Sequence, residues 1–323
     1  MEQKITIITP SFNQAQFLEH TIDSILSQNY LYLEYIIIDG GSTDGSTDII
    51  KKHEKYLKYW ISELDKGQSH AINKGLKHAS GDIINWINSD DYLEPGALKI
   101  ISDAFGDPNA YVLCGRSNIV QNNKIVRQTR GTDVYPDNLS KTIGQARIDQ
   151  PETWFRKKIF DKITPVKEDL HFIMDKYLWV QYLMLYGLDH IIPIEDILVN
   201  FRHHDQSKTV SQDQEFLEET LKMYATLARQ TSDLKIEAFI SSLLKRNEDN
   251  NDEFQLGVND EVMVSSLHYF LLWLADYFYV NKEYSKAAET LGYVGKSVLQ
   301  PHDRFRYNKL KWSIPLKLNR FRS

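Results

Sequence analysis

Two adjacent aspartates, Asp90 and Asp91, close the hydrophobic run Asp82-Ile-Ile-Asn-Trp-Ile-Asn-Ser-Asp-Asp91. Carboxylates this close repel, so each needs a cation, a proton or water. In an open α/β sheet, ligands bind just beyond the carboxyl ends of the strands. Two acids at such a point suit a hard divalent cation, Mg²⁺ or Mn²⁺, which prefers carboxylate oxygen. A solvated turn or a helix cap before Pro95 would use the same residues. The surroundings favour chemistry. Two earlier apolar runs end in Thr9-Pro-Ser11 and in Asp39, and Asp65-Lys-Gly-Gln-Ser-His-Ala-Ile-Asn73 lies between them and the pair.

The elements that must carry these residues alternate. Residues 4–9 form a β-rich run, and Pro10-Ser-Phe-Asn13 breaks it and offers a helix cap. Phe17, Leu18, Ile22, Ile25 and Leu26 then repeat at helical spacing. Residues 35–38 read as a second buried strand, followed by the polar loop Asp39-Gly-Gly-Ser-Thr-Asp-Gly-Ser46 and a helix. Residues 59–62 read as a third strand, a helix carries Ala71, Ile72, Gly75 and Leu76, and residues 83–87 form a fourth strand. This rhythm predicts a mainly parallel sheet flanked by helices on both faces. Its strand ends point to one edge, where a shared crevice is expected.

After Pro95 the pattern loosens. Residues 111–113 and 124–128 look like strands, and 129–150 is a polar, irregular stretch long enough to be a functional loop. Residues 170–186 read as a helix, and 191–201 as two short strands interrupted at Glu195-Asp196. From about Gln212 the periodicity becomes helical, with an acidic linker candidate at 247–252 and a helical hairpin over 267–299. The expected division is therefore a catalytic domain over 1–210 and a helical region over 211–323.

The 323 residues are 42% hydrophobic and 25% charged, the profile of an ordinary globular chain. The single cysteine, Cys114, excludes an intramolecular disulfide framework and a Cys-rich zinc site, and fits a reducing compartment. No basic segment followed by an apolar one opens the chain, and the apolar stretch 267–280 is too short to span a bilayer. A cytoplasmic location is expected, peripheral to the inner face of the membrane if the tail docks there. The net charge of −6 argues against bulk nucleic-acid binding. Residues 304–323 nevertheless hold seven Lys or Arg and no acid, so removing them from −6 leaves −13 on the rest. This tail also carries Phe305, Tyr307, Trp312, Ile314, Leu316 and Phe321. It suits an anionic membrane surface, a solvated tail, or a dock on the protein's own acidic surface. The helical region is equally open to dimerisation as a homodimer, membrane docking or partner binding.

Four ordered segments resemble the family 2 glycosyltransferases, which have the GT-A fold. They are Ile7-Ile-Thr-Pro-Ser-Phe-Asn13, Ile37-Ile-Asp-Gly-Gly-Ser-Thr-Asp-Gly-Ser46, Asp65-Lys-Gly67 with Ala71-Ile-Asn-Lys-Gly75, and Trp86-Ile-Asn-Ser-Asp-Asp91. The likeness is close over residues 3–110 and looser to about 210, through Gln150-Pro-Glu-Thr153, Met174-Asp175 with Trp179, and Phe201-Arg-His-His204. It implies that Thr9, Pro10 and Ser11 line the base and ribose of a nucleotide-sugar donor. It implies that Asp39 accepts from the base edge, and that Asp65, Gly67 and Asn73 close the pocket. Asp90 would touch the ribose or sugar, and Asp91 would hold Mn²⁺ or Mg²⁺ against the diphosphate. His204 would add a ligand or a phosphate contact, with His203 beside it leaving open which ring faces the site. Asp175 would be the base that deprotonates a glycan or lipid-linked acceptor, its apolar context raising its pKa. A helix cap is the other use for Asp175, and Glu152 is the second candidate base. The implied reaction is inverting sugar transfer, from a UDP-sugar for preference, in surface polysaccharide synthesis. Two other classes compete: a nucleotidyltransferase, which lacks its basic loop here because residues 10–16 hold no Lys or Arg, and a silent sugar-nucleotide-binding scaffold.

Overall fold

The computed structural model describes residues 2–204, 213–244 and 252–320. The chain divides into two compact units. The first contains Met1–Asp133, Arg147–Trp179 and Asp189–Phe216; the second contains Val134–Ala146, Val180–Leu188 and Leu217–Ser323.

The first unit is built on a nine-stranded mixed sheet. Its strands are β1 (Ile5–Ser11), β2 (Leu33–Asp39), β3 (Tyr59–Ser62), β4 (Ile83–Trp86), β5 (Tyr92–Leu93), β6 (Val112–Gln121), β7 (Lys124–Gln128), β8 (Thr153–Arg156) and β9 (Ile191–His203). The order is β3-β2-β1-β4-β8-β6-β9-β5, with β7 hairpinned onto β6. The four strands that alternate with helices pair in parallel, as the rhythm predicts. All seven residues of β1 are buried, so both faces of the sheet are covered. Covering helices are α1 (Ala15–Leu26), α2 (Ser46–His53), α3 (Gln68–Leu76) and α4 (Ala97–Ala104). Leu18, Ile22 and Ile25 of α1 join Ile5, Ile7, Tyr35, Ile37 and Ile83 in one core.

Three details depart from the sequence reading. The cap expected from Asn13 comes instead from Asp44, whose Oδ2 accepts from the Ala15 N–H at 2.8 Å. Asn13 takes a left-handed φ of 51° and accepts from the Thr43 N–H, so the glycine-rich loop braces the start of α1. Residues 191–203 form one strand, not two. Its register against β6 shifts around Arg116, which leaves Glu195 and Asp196 exposed without ending the strand.

The polar stretch 129–150 contains α5 (Leu139–Gly144), capped by the Asn138 side chain on the Lys141 N–H. Following it are α6 (Lys157–Ile163) and α7 (Met174–Tyr186) in chain order. Further helices among the described residues are α8 (Asp213–Arg229), α9 (Leu234–Ser242), α10 (Asp260–Val280), α11 (Tyr284–Gly292) and α12 (Pro301–Arg320). The basic tail is thus helical from Pro301 to Arg320, while residues 247–251 of the linker candidate lie outside the described residues. Among the described residues no helix is long and apolar enough to cross a membrane.

Within the second unit α5 packs directly on α10. A Cβ built on Gly144 would stand 2.3 Å from the Ser266 carbonyl oxygen and 2.6 Å from Tyr269 Cβ. A backbone oxygen cannot swing aside as a flexible side-chain tip can. Gly144→Ala is therefore expected to destabilise the protein by about 3 kcal/mol, the upper part of the range for overpacking. Chemical denaturation checks this, with Gly292→Ala as a control because nothing lies within 4 Å of its Cβ position.

Candidate active site

Parallel pairing brings Ser11, Asp39 and Ser62 into one row across β1, β2 and β3. Asp39 is fully buried, and four donors hold its carboxylate. The N–H groups of Gly41 and Ser42 reach Oδ2 at 3.1 and 2.8 Å, the Ser62 hydroxyl reaches it at 2.6 Å, and the Ser42 hydroxyl reaches Oδ1 at 2.5 Å. Beside it the Ser11 hydroxyl is buried with no hydrogen-bond partner among the described residues, an orphaned polar atom at a strand end. Thr9 lies one layer deeper, bonded to the Tyr35 hydroxyl at 3.0 Å, and Pro10 is a buried link between them.

The next loop approaches closely because Gly40 has no side chain. A Cβ there would meet Asp65 Oδ2 at 2.8 Å. Asp65 Oδ1 accepts from the Gly67 N–H at 2.8 Å, and Gly67 takes φ 114°, a conformation suited to glycine. The Gln68 amide then donates to Asn88 Oδ1 at 2.7 Å, tying the start of α3 to the acidic turn. Asn73 lies on α3 and reaches across to residues 166–168. Its amide clasps the Val166 main chain, donating at 2.8 Å and accepting at 2.9 Å, and also touches Glu168. It braces residues 166–168.

The two aspartates of the turn are not equivalent. Asp91 is 1% exposed and accepts from the Arg202 N–H at 3.1 Å and from Asn88 Nδ2 at 3.3 Å. Burial, then the neighbouring Asp90 charge, push its carboxyl well above the usual range. Asp90 is the more open, its side chain 23% exposed, with Oδ2 3.0 Å from His204 Nε2. His204 lies against Phe17, whereas His203 turns its ring edge-on to Phe201. Asp90 and His204 form an adjacent oxygen and nitrogen donor pair with access to solvent. Such a pair fits one divalent cation whose other positions go to phosphate oxygens and water. Among the described residues no group of three His, Cys, Asp or Glu side chains gathers as a ligand set.

The residue holding this turn is Arg202, which the sequence analysis left without a role. Its guanidinium donates to the Asp90 carbonyl at 2.8 Å, contacts His20 Nδ1, and sits over the Phe17 and Tyr92 rings. The Thr21 hydroxyl faces the carbonyls of Ser89 and Asp91 at 2.9 and 2.7 Å. The Arg-x-His spacing carried a signal for Arg202; nothing local marks Thr21.

Asp175 stands in the first turn of α7, half-buried, accepting from the Lys176 N–H at 2.7 Å. Burial pushes its carboxyl up to about 6, and pushes the neighbouring Lys176 ammonium down to about 8. The preceding Met174 is fixed by the Ser69 hydroxyl on its sulfur at 2.8 Å. A small crevice runs between residues 66–69 and Glu168, Leu170, His171 and Met174. The start of α7 and the Gly67 turn thus face one opening. Glu152 is 0% exposed, bonded to the Thr129 hydroxyl, and burial with the Asp149 charge pushes its carboxyl up to about 8. A buried acid protonated at neutral pH is a poor general base.

Residues 6–164 match the profile of glycosyl transferase family 2. Through this segment the chain belongs to glycosyl transferase family 2. It is 28% identical over 173 residues to an uncharacterized glycosyltransferase of Nostoc sp., covering 50% of this chain and 54% of that one. It is 30% identical over 148 residues to hyaluronan synthase of Streptococcus pyogenes, covering 42% of this chain and 35% of the synthase. The chain therefore spans about half or less of the length of these curated relatives. Among solved structures it is similar to residues 1–349 of S. aureus TarS in complex with UDP-GlcNAc. The TM-score is 0.62 at 16% identity, over 98% of this chain and 92% of that one. A mannosyltransferase from Pyrobaculum calidifontis in complex with GDP-Man and Mn²⁺ is also similar, with TM-score 0.51 at 16% identity over 98% and 81% of the two chains. These likenesses show that the family 2 domain has the GT-A type of fold.

The buried Glu152 gives the family 2 domain a pH signature. An ordinary Glu titrates near 4.5, so between that value and about 8 the folded protein binds more protons at Glu152 than the unfolded chain. Its contribution is fully present below 4.5 and is lost as pH rises through 8. Glu152→Gln is expected to raise stability relative to wild type by about 1–3 kcal/mol more at pH 8 than at pH 5. Denaturation curves at the two pH values check this; equal differences would remove Glu152 as the source.

Proposed function

We propose that this protein transfers a sugar from a nucleotide-diphosphate donor, a UDP-sugar for preference, to an acceptor hydroxyl with inversion at the anomeric carbon. The observation that carries this reading is the gathering of Ser11, Asp39, the Asp65–Gly67 turn and Asp90 at one end of the parallel strands. Ligands of open α/β sheets bind there. The Ser11 hydroxyl takes a hydrogen bond from or to the nucleoside, which satisfies its orphaned oxygen. Asp39 holds the shape of that pocket through its four donors. Asp90 and His204 would hold Mn²⁺ or Mg²⁺ at the diphosphate end. A cation bound there supplies Lewis-acid stabilisation of the departing diphosphate. Asp175 accepts the proton of the acceptor hydroxyl as it attacks, while the sugar gains oxocarbenium character. A carboxyl near 6 is ionised at neutral pH yet basic enough for that task. The catalytic work belongs to the first unit, and the second unit serves another purpose. Relatives that include a hyaluronan synthase support an acceptor that is a surface glycan or its lipid-linked precursor.

Calorimetric titration with UDP, GDP and dTDP, each with and without Mn²⁺, tests the donor site. Cation-dependent binding of one nucleotide is expected. A well-folded protein that binds none of them leaves the silent scaffold as the better reading.

A further inference from the structure

The apolar side chains that helix α12 turns to solvent are unlike those of an ordinary surface helix. Phe305, Trp312 and Leu316 are 70, 78 and 68% exposed. At about 100° per residue they fall, with the exposed Lys309, within an arc of roughly 60°. The opposite face fixes the orientation of the helix within its own unit. Leu310 and Ile314 are buried there, and the buried Asp303 carboxylate takes the Lys141 ammonium at 2.9 and 3.0 Å. The exposed stripe is therefore not a free choice of rotation.

Charge says what covers the stripe. Lys309 stands within the stripe, while Lys311 and the half-exposed Lys317 lie farther round, towards the buried face, and none of the three forms an ion pair among the described residues. No acid occurs from Arg304 to the end of the sequence, although the chain as a whole is net negative. We propose that this face of α12 lies on a lipid bilayer that carries anionic headgroups. Phe, Trp and Leu enter the headgroup and acyl boundary, where an amphipathic helix with a basic rim rests parallel to the surface. Lys309, in the middle of the stripe, extends its ammonium back to the phosphates while its stem stays among apolar groups. A second copy of the chain is a worse cover. Two such faces laid together would bury Lys309 with no acid on that face to meet it, at a desolvation cost.

Flotation of the full chain with vesicles tests this. The vesicles are phosphatidylcholine alone, or phosphatidylcholine with about one-third phosphatidylglycerol. Binding is expected to the anionic vesicles only, and to weaken in ~0.5 M salt. Lys309→Glu with Lys311→Glu should lower partition on the order of tenfold or more. Phe305→Ser with Trp312→Ser and Leu316→Ser should lower it comparably while the neutral-lipid control stays empty. All five side chains are exposed, so the melting temperature should hold in both variants. No partition into anionic vesicles at low salt, or partition indifferent to both variants, overturns the proposal. A wild-type dimer that the apolar variant dissolves, with vesicle partition unchanged, assigns the face to a second copy instead.

Discussion

Asp175→Asn is expected to lower kcat by about 10²–10⁴-fold while leaving donor affinity nearly unchanged. Asparagine keeps the shape and can still accept from the Lys176 N–H, so α7 should start as before. What it cannot do is take a proton. The wild-type rate gives a second, independent readout. With the Asp175 carboxyl raised to about 6 by burial, kcat should climb as pH rises through 6 and level off above it. That limb should vanish from the residual rate of the asparagine variant. Glu152→Gln, at the other candidate base, should leave the limb in place, because Glu152 has no surface from which to reach an acceptor. Transfer by the Asp175 variant at half the wild-type rate or better would remove Asp175 from the role.

The second large effect concerns the acidic turn. Asp90→Ala is expected to weaken Mn²⁺-dependent binding of the nucleoside diphosphate on the order of 100-fold, and to leave weaker, cation-independent binding intact. Asp91→Ala should behave differently. It removes the buried carboxylate that accepts from the Arg202 N–H and so costs about 1–3 kcal/mol of stability. Its loss of binding should follow from a loosened turn. Titrating Mn²⁺ and nucleotide together into both variants separates the two. If Asp91→Ala removes cation dependence in a folded protein and Asp90→Ala does not, their roles exchange.

How far the sequence could carry this depended on where each residue's partners lie. The first four strands were legible because each is a short apolar run ending in a polar motif, and the parallel sheet follows from their alternation with helices. The distinction between Asp90 and Asp91 was not legible. Adjacent acids look alike until Arg202 and His204, more than a hundred residues later, claim one each. Asn73 illustrates the same limit, since its partner Val166 is 93 positions away. Two charges in mid-run, Glu195 and Asp196, read as a strand break because sequence alone does not announce a bulge. Helix α5 was hidden by its length, six residues, too few for periodicity. Its burial is decided by α10, so the stretch read as a polar functional loop holds a packed helix.

The interleaved second unit bears on how this protein can be taken apart. Tyr182, Leu183 and Met184 are fully buried, the Gly257 N–H reaches the Met184 carbonyl at 2.9 Å, and Ile143 gives its carbonyl to the Tyr224 hydroxyl at 2.6 Å. A gene cut after codon 210 would keep these groups and discard partners such as Gly257 and Tyr224. The conventional truncation at the end of the recognisable family segment should therefore yield insoluble material. The C-terminal helices are in this sense an inheritance that cannot be swapped among relatives as a cassette, because two pieces of their fold are written inside the transferase.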